Sequence, residues 1–101
     1  MIVRSWAGRT RSTDAHRYVD YLLKTGVRQI RATPGNEGVM VLRRTLGDET
    51  EFVVQSSWRS LDDIKAFAGD DIDQAIFYPE DDSFLVAKDL TVTHHEVAVR
   101  A

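Results

Sequence analysis

Two pairs of residues in this chain have side chains suited to chemistry. They are His94 and His95 near its end, and Arg4 and Trp6 near its start. Neighbours on a strand point to opposite faces, so His94 and His95 cannot ligate one metal from a regular strand. His94 shares its face with Glu96, which matches a general base and the carboxylate that orients it. His95 shares its face with Val97 and Val99, a pattern suited to packing under helices. His94 is therefore the one assigned to a pocket. Its plain alternative is a hydrogen-bonded core or interface histidine. Arg4 and Trp6 share a face of the first strand. With Val3, Ser5 and Ala7 under the helices, this pair would face a cavity between the sheet and a partner. A guanidinium beside an indole suits a planar anion such as a phenolate or carboxylate. An ion pair with an acid of a second subunit is the competing role.

The candidate catalytic residues are thus His94 and Arg4. The candidate substrate contacts are Trp6, Met40, Leu42, Trp58, Tyr78 and Glu96. Trp58 stands where a strand ends and would either line the cavity or anchor the next helix, the anchor being favoured. Tyr78, before Pro79, offers a phenol at a cavity mouth or a packing group. His16 sits among polar neighbours and reads as solvated. Asp70, Asp71, Asp73, Glu80, Asp81 and Asp82 lack the spacing of a calcium loop and read as solvated surface. Gly35 and Gly38 make no phosphate loop. The set calls for no metal and no cofactor.

These side chains need strands and helices to hold them. Ile2 to about Arg9 alternates as a strand. Ser12 or Thr13 caps a helix with Asp14 in its first turn, and Ala15, Tyr18, Val19, Leu22 and Leu23 follow helical spacing up to Gly26. Val27 to Arg31 reads as an extended link. Val39–Arg44 and Glu51–Ser57 form a hairpin about Gly47-Asp48. Ser60 and Asp63 make a capping-box pattern ahead of the stripe Leu61, Ile64, Phe67 and Ala68, with Gly69 as the stop. Asp70 to Phe77 suggests another short helix, Pro79 to Ser83 a surface loop, Phe84 to Leu90 a short edge strand, and Thr91 to Val99 the last strand. The order β-α-β-β-α-β is the α+β, ferredoxin-like pattern, an antiparallel sheet with its helices on one face.

Val39, Met40, Val41 and Leu42 are apolar in succession, and Phe52-Val53-Val54 repeats the signal. Two helices can cover one face only, so the other needs a second cover. A homodimer packed sheet to sheet supplies it.

Length and composition bound the rest. The 101 residues suit a single domain, 1–101, and the 43% hydrophobic content rules out disorder. A net charge of -3 with no basic stripe sets aside nucleic acid and anionic membrane surfaces. The absence of cysteine removes disulfides, thiolate metal sites and cysteine nucleophiles. No apolar run is long enough to span a membrane, and the first residues lack a signal-peptide core, so the cytoplasm is the default location.

The joint Trp58-Arg-Ser60-Leu-Asp-Asp63-Ile64-Lys-Ala-Phe67 resembles the Trp-x-Ser-x-x-Asp/Glu-x-x-x-Phe segment of antibiotic-biosynthesis-monooxygenase-like domains. The N-terminal strand and helix, the Pro34-Gly35-x-x-Gly38 loop and the closing His95-Glu96-Val97 are similar too. The resemblance spans nearly the whole chain and implies a dimeric α/β barrel. That superfamily hosts quinone-forming and heme-degrading oxygenases, isomerases and decarboxylases, so fold does not settle activity. The heme-degrading branch uses an Asn on the first strand and a His after the second helix. This chain has Arg4 and Trp6 on that strand and Ala75-Ile76-Phe77-Tyr78 after the helix, which argues against heme degradation. Trp58 matches the cofactor-independent, quinone-forming branch in position. The resemblance therefore implies a cofactor-independent monooxygenase acting on a small phenol-like substrate. An isomerase or decarboxylase of the same fold, or a ligand-binding or structural accessory domain, is the alternative.

Overall fold

The computed structural model describes residues 1–101. The elements are β1 (Ile2–Arg11), a 3-10 turn (Ser12–Asp14), α1 (Ala15–Lys24), α2 (Gly26–Ala32), β2 (Asn36–Leu46), β3 (Glu49–Trp58), α3 (Leu61–Ala68), α4 (Asp81–Phe84), β4 (Leu85–Lys88) and β5 (Thr93–Glu96). The sheet runs β2-β3-β1, and β1 carries β4 and β5 on its other side. All pairings are antiparallel. This is the ferredoxin-like arrangement, with its fourth strand position split in two. β4 pairs with Gly8 to Thr10 and β5 with Ile2 to Ser5.

The hairpin between β2 and β3 turns through Gly47-Asp48, with Gly47 at φ 65 and no non-glycine residue at positive φ. A positive φ at the first turn position alone is the type II′ turn, whose twist matches that of the strands. At the other hairpin end, Ser60 Oγ accepts the Asp63 N–H at 3.2 Å and so caps α3. Gly35 lies against this cap: a Cβ there would fall 2.3 Å from Asp63 Cγ, and its φ is 90.

Three segments differ from the sequence expectation. Val27 to Arg31 is helix, not an extended link. Gly26 opens α2 instead of ending the helical region, because Thr25 absorbs the break with φ -118 and ψ -94. The Thr25 N–H and hydroxyl both bond back to Tyr21 O, and Gln29 N–H restarts the ladder on Thr25 O. That lets Ile30 join the core. Asp70 to Phe77 forms no helix, since its backbone is spent elsewhere. Ala75 N–H bonds Leu90 O, Val92 N–H bonds Asp73 O, and Arg4 takes the carbonyls of Ile72 and Gln74. The result is a strap laid along the end of the sheet. The Pro79–Ser83 region, expected as loop, includes the start of the single-turn α4.

The core lies between the sheet and the helices. One cluster joins Ile30, Trp58, Ile64 and Ala68, the other Tyr18, Leu22 and Phe52, and Val54 packs against both. Directly paired residues share a face. Val39 and Val41 lie opposite Ser56 and Val54, on the helix side. Met40 and Leu42 lie opposite Gln55 and Val53, on the uncovered side, where Met40 is 57% and Leu42 44% exposed. The unbroken apolar run of β2 thus divides between a covered and an open face.

Candidate active site

β1 delivers Arg4 and Trp6 to the helix side of the sheet. Arg4 stands opposite Ser56, and Trp6 opposite Val54. The sequence expectation had them on the other face, looking toward a partner. The sheet's pairing fixes the correction: Trp58, Ser56 and Phe52 are buried under the helices, and Arg4 and Trp6 share their side.

There they border a cavity of about 70 Å³ inside the protomer, walled by Leu22, Val27, Ile30, Val54, Phe67 and Phe77 among others. Trp6 forms one wall. Its Nε1 donates to Asp89 O at 2.8 Å, and its ring meets Phe77 edge-on at 6.2 Å. Gly8 is required beneath it, because a Cβ there would stand 2.5 Å from the indole.

Arg4 is 5% exposed, and its charge is well partnered. Nη1 donates to Ile72 O and meets His94 Nε2 at 3.1 Å, Nη2 donates to Gln74 O at 2.9 Å, and the guanidinium lies 5.8 Å from the Phe67 ring centre. Since arginine only donates, His94 Nε2 is the acceptor, and its proton sits on Nδ1. That nitrogen faces Asp73 Oδ1 at 3.4 Å. Burial pushes the His94 pKa below its ordinary value, and the Arg4 charge adds to the effect against the pull of Asp73. His94 is therefore neutral at pH 7. It borders Arg4 and is not part of the cavity wall.

The other sequence-selected residues scatter. Glu96 is exposed and pairs with Ile2 in the sheet, so Asp73 takes the place expected for it beside His94. His95 stands opposite Val3 on the uncovered face, not under helices. Met40 and Leu42 are on that face as well, away from the cavity. Trp58 is fully buried beside Phe67 at 6.0 Å, with Nε1 donating to Ser56 Oγ at 2.8 Å, which is the anchoring geometry. Tyr78 lines the cavity and donates its hydroxyl to Gln29 Oε1 at 2.5 Å.

Sequence reasoning missed Asp81 and Tyr18. Asp81, read as solvated surface, is 6% exposed and lines the cavity with Tyr18. A usable signal was present. Asp81 falls three residues after Tyr78 and three before Phe84, the helical spacing that places it on their side. No group of three or more His, Asp or Glu residues is gathered as a metal site.

Residues 3–76 match the antibiotic biosynthesis monooxygenase family. The chain belongs to that family. No curated protein matches it significantly. Among solved structures it is similar to the heme-degrader MhuD of Mycobacterium tuberculosis with two hemes bound in its active site. The two are 20% identical with a TM-score of 0.59, over 100% of this chain and 99% of that one. A Bacillus cereus protein described by the same family name is 16% identical, with a TM-score of 0.67 over 99% and 97% of the two chains. At such identities the likeness establishes the fold. The cavity of this family member does not fit a heme. Its walls offer no imidazole, both ring nitrogens of His94 face other partners, and about 70 Å³ is far too little for a tetrapyrrole.

Proposed function

We propose that this protein is a monooxygenase working without metal or flavin on a small phenol-like aromatic held between its sheet and helices. The observation that carries this reading is the cavity itself: a half-open aromatic and aliphatic hollow with the buried Arg4 in its wall. Chemistry of this kind needs little else. A phenol and oxygen yield a quinone and water in balance, with the substrate supplying every electron. The protein must hold the phenolate, keep water away and leave room for oxygen. Low-polarity walls strengthen each electrostatic contact inside. Three of the five guanidinium N–H groups are committed to Ile72, Gln74 and His94, so Arg4 acts as a fixed positive charge in the wall. His94, touching Arg4 and not the cavity, positions that charge. Trp6 and Phe77 offer flat surfaces for a ring. About 70 Å³ is tight even for one ring, so a ring enters by displacing the 70–77 strap, and larger ligands would have to displace it further.

Purified protein, free of added cofactor, should consume oxygen with an electron-rich one-ring hydroxyarene and place an atom of labelled oxygen in the product. Turnover of a small acid without oxygen would move the assignment to an isomerase or decarboxylase. No binding of any small aromatic would leave an accessory domain.

The same reading includes a homodimer joined through the uncovered sheet face, where Val3, Ala7, Met40, Leu42 and Val53 lie in neighbouring rows. Leu42→Glu should convert it to monomer in sedimentation; an unaltered mass would count against that interface. No helix is long and apolar enough to cross a membrane, and the proposed location is the cytoplasm.

A further inference from the structure

We propose that Asp81 is the general base of this cavity, taking the hydroxyl proton of the bound phenol. This rests on the proposed function and assigns its proton-transfer step to a residue outside the first and last strands. Asp81 begins α4 inside the acidic run Glu80-Asp81-Asp82, yet it alone turns inward: its two neighbours are exposed and it is buried. Asp81 lines the cavity, and its Oδ2 accepts the Tyr78 N–H at 2.6 Å. No cation forms a salt bridge with it; Lys88 on β4 is bound to Asp82 and acts on Asp81 only from a longer distance. Beside it, the buried Tyr21 hydroxyl makes no hydrogen bond of good geometry, yet lies close enough to the carboxyl to favour its charged form. The groups around it are Tyr18 and Tyr21 from α1, Tyr78 and Glu80 from the preceding loop, Asp82 from α4 and Lys88 from β4. Arg4 shares the cavity wall.

A buried carboxylate with one close hydrogen bond and no ion pair is a strengthened base. Burial raises the Asp81 pKa, with the Tyr78 N–H, the Tyr21 hydroxyl and the Lys88 charge partly opposing it. Burial, with the Asp81 charge behind it, pushes Tyr21 up to about 12 and raises Tyr18 too. The tyrosines stay neutral and leave Asp81 as the acceptor. In the step, the substrate O–H bond breaks, an O–H bond forms on Asp81, and the electron pair remains on the phenolate oxygen. The negative charge thus moves from carboxylate to substrate within a cavity whose wall holds Arg4.

The test uses Asp81→Asn, which keeps an oxygen for the Tyr78 N–H. Turnover of the hydroxyarene should fall by about 100-fold or more, the usual contribution of a general base. Asp81→Glu should recover part of it. A second readout does not need turnover. With fully ionised 4-nitrophenol as probe, wild-type affinity should fall about tenfold per pH unit above the Asp81 pKa, since anion and carboxylate share one proton. In Asp81→Asn the affinity should be flat. Turnover unchanged in Asp81→Asn, or a wild-type affinity that is flat with pH, would overturn the assignment. Should Asp81→Asn fail to fold, the wild-type pH series decides alone. A proton-linked affinity without oxygen consumption would leave Asp81 in place and remove the monooxygenase. Oxygen consumption indifferent to Asp81 would do the reverse.

Discussion

Arg4 and Asp81 are equally buried, at 5% and 6% exposure, and both border the same cavity. Their surroundings are opposite. Arg4 is tied to two backbone carbonyls, an imidazole and an aromatic ring. Asp81 has one backbone N–H and three tyrosines, with no ion pair and Lys88 only at a longer distance. Burial alone therefore says little about a charged side chain. A charge whose bonds are filled holds the fold together, whereas a charge left short of partners is held ready at a cost in stability.

The largest expected effect comes from breaking the satisfied end. Arg4→Met leaves the Ile72 and Gln74 carbonyls without their donor and loosens the strap. At about 1–3 kcal/mol for each orphaned group, the loss should be roughly 2–6 kcal/mol in urea unfolding. For a domain near 100 residues that lowers Tm by about 10 °C or more. A loss under about 1 kcal/mol would show that the strap does not depend on Arg4. Asp81→Asn should behave in the opposite sense at pH 7, leaving Tm unchanged or raising it, since it removes an uncompensated buried charge. A clear fall in Tm would place Asp81 among the structural charges and erase the contrast.

Gly8→Ala probes the wall between the two ends. The added methyl must displace the Trp6 indole, at a cost of about 1–3 kcal/mol. Tryptophan fluorescence should shift as that ring moves, and an unshifted spectrum with full stability would show that the wall yields freely. The smallest effect is a pH dependence. The folded pKa of His94 is depressed, so its contribution to stability is present above the ordinary value of 6.5 and is lost as pH falls through the lower folded value. His94→Gln should flatten that acid limb in a Tm-against-pH series. An unchanged limb would assign it to another group.

The elements were legible in the sequence where local chemistry decides them. The Ser60 cap, the Gly47 turn and the β2–β3 hairpin each hold within a few residues of chain. The 70–77 strap was not, because its conformation is set by Arg4 and by Leu90 and Val92, partners remote in sequence. The face of β1 was misjudged for a related reason. Alternation separates Arg4 and Trp6 from Val3 and Ser5 but does not say which set lies under helices. Arg4 goes inside because distant carbonyls await it. Sequence reasoning chose Arg4, Trp6 and Tyr78, which do border the cavity, and Met40, Leu42 and Glu96, which do not. It passed over Asp81 because a run of three acids resembles a solvated face. Only the aromatic spacing on either side of it pointed inward.

The central claim is that the ligand sits inside each protomer, between sheet and helices, and not on the open sheet face. Calorimetric titration of a one-ring hydroxyarene onto two variants tests it most directly. Ile76→Trp fills the cavity from the strap side, while Leu42→Glu alters the uncovered face alone. The account predicts that binding is lost in Ile76→Trp and kept in Leu42→Glu. Binding kept when the cavity is filled and lost when the open face is changed would contradict it.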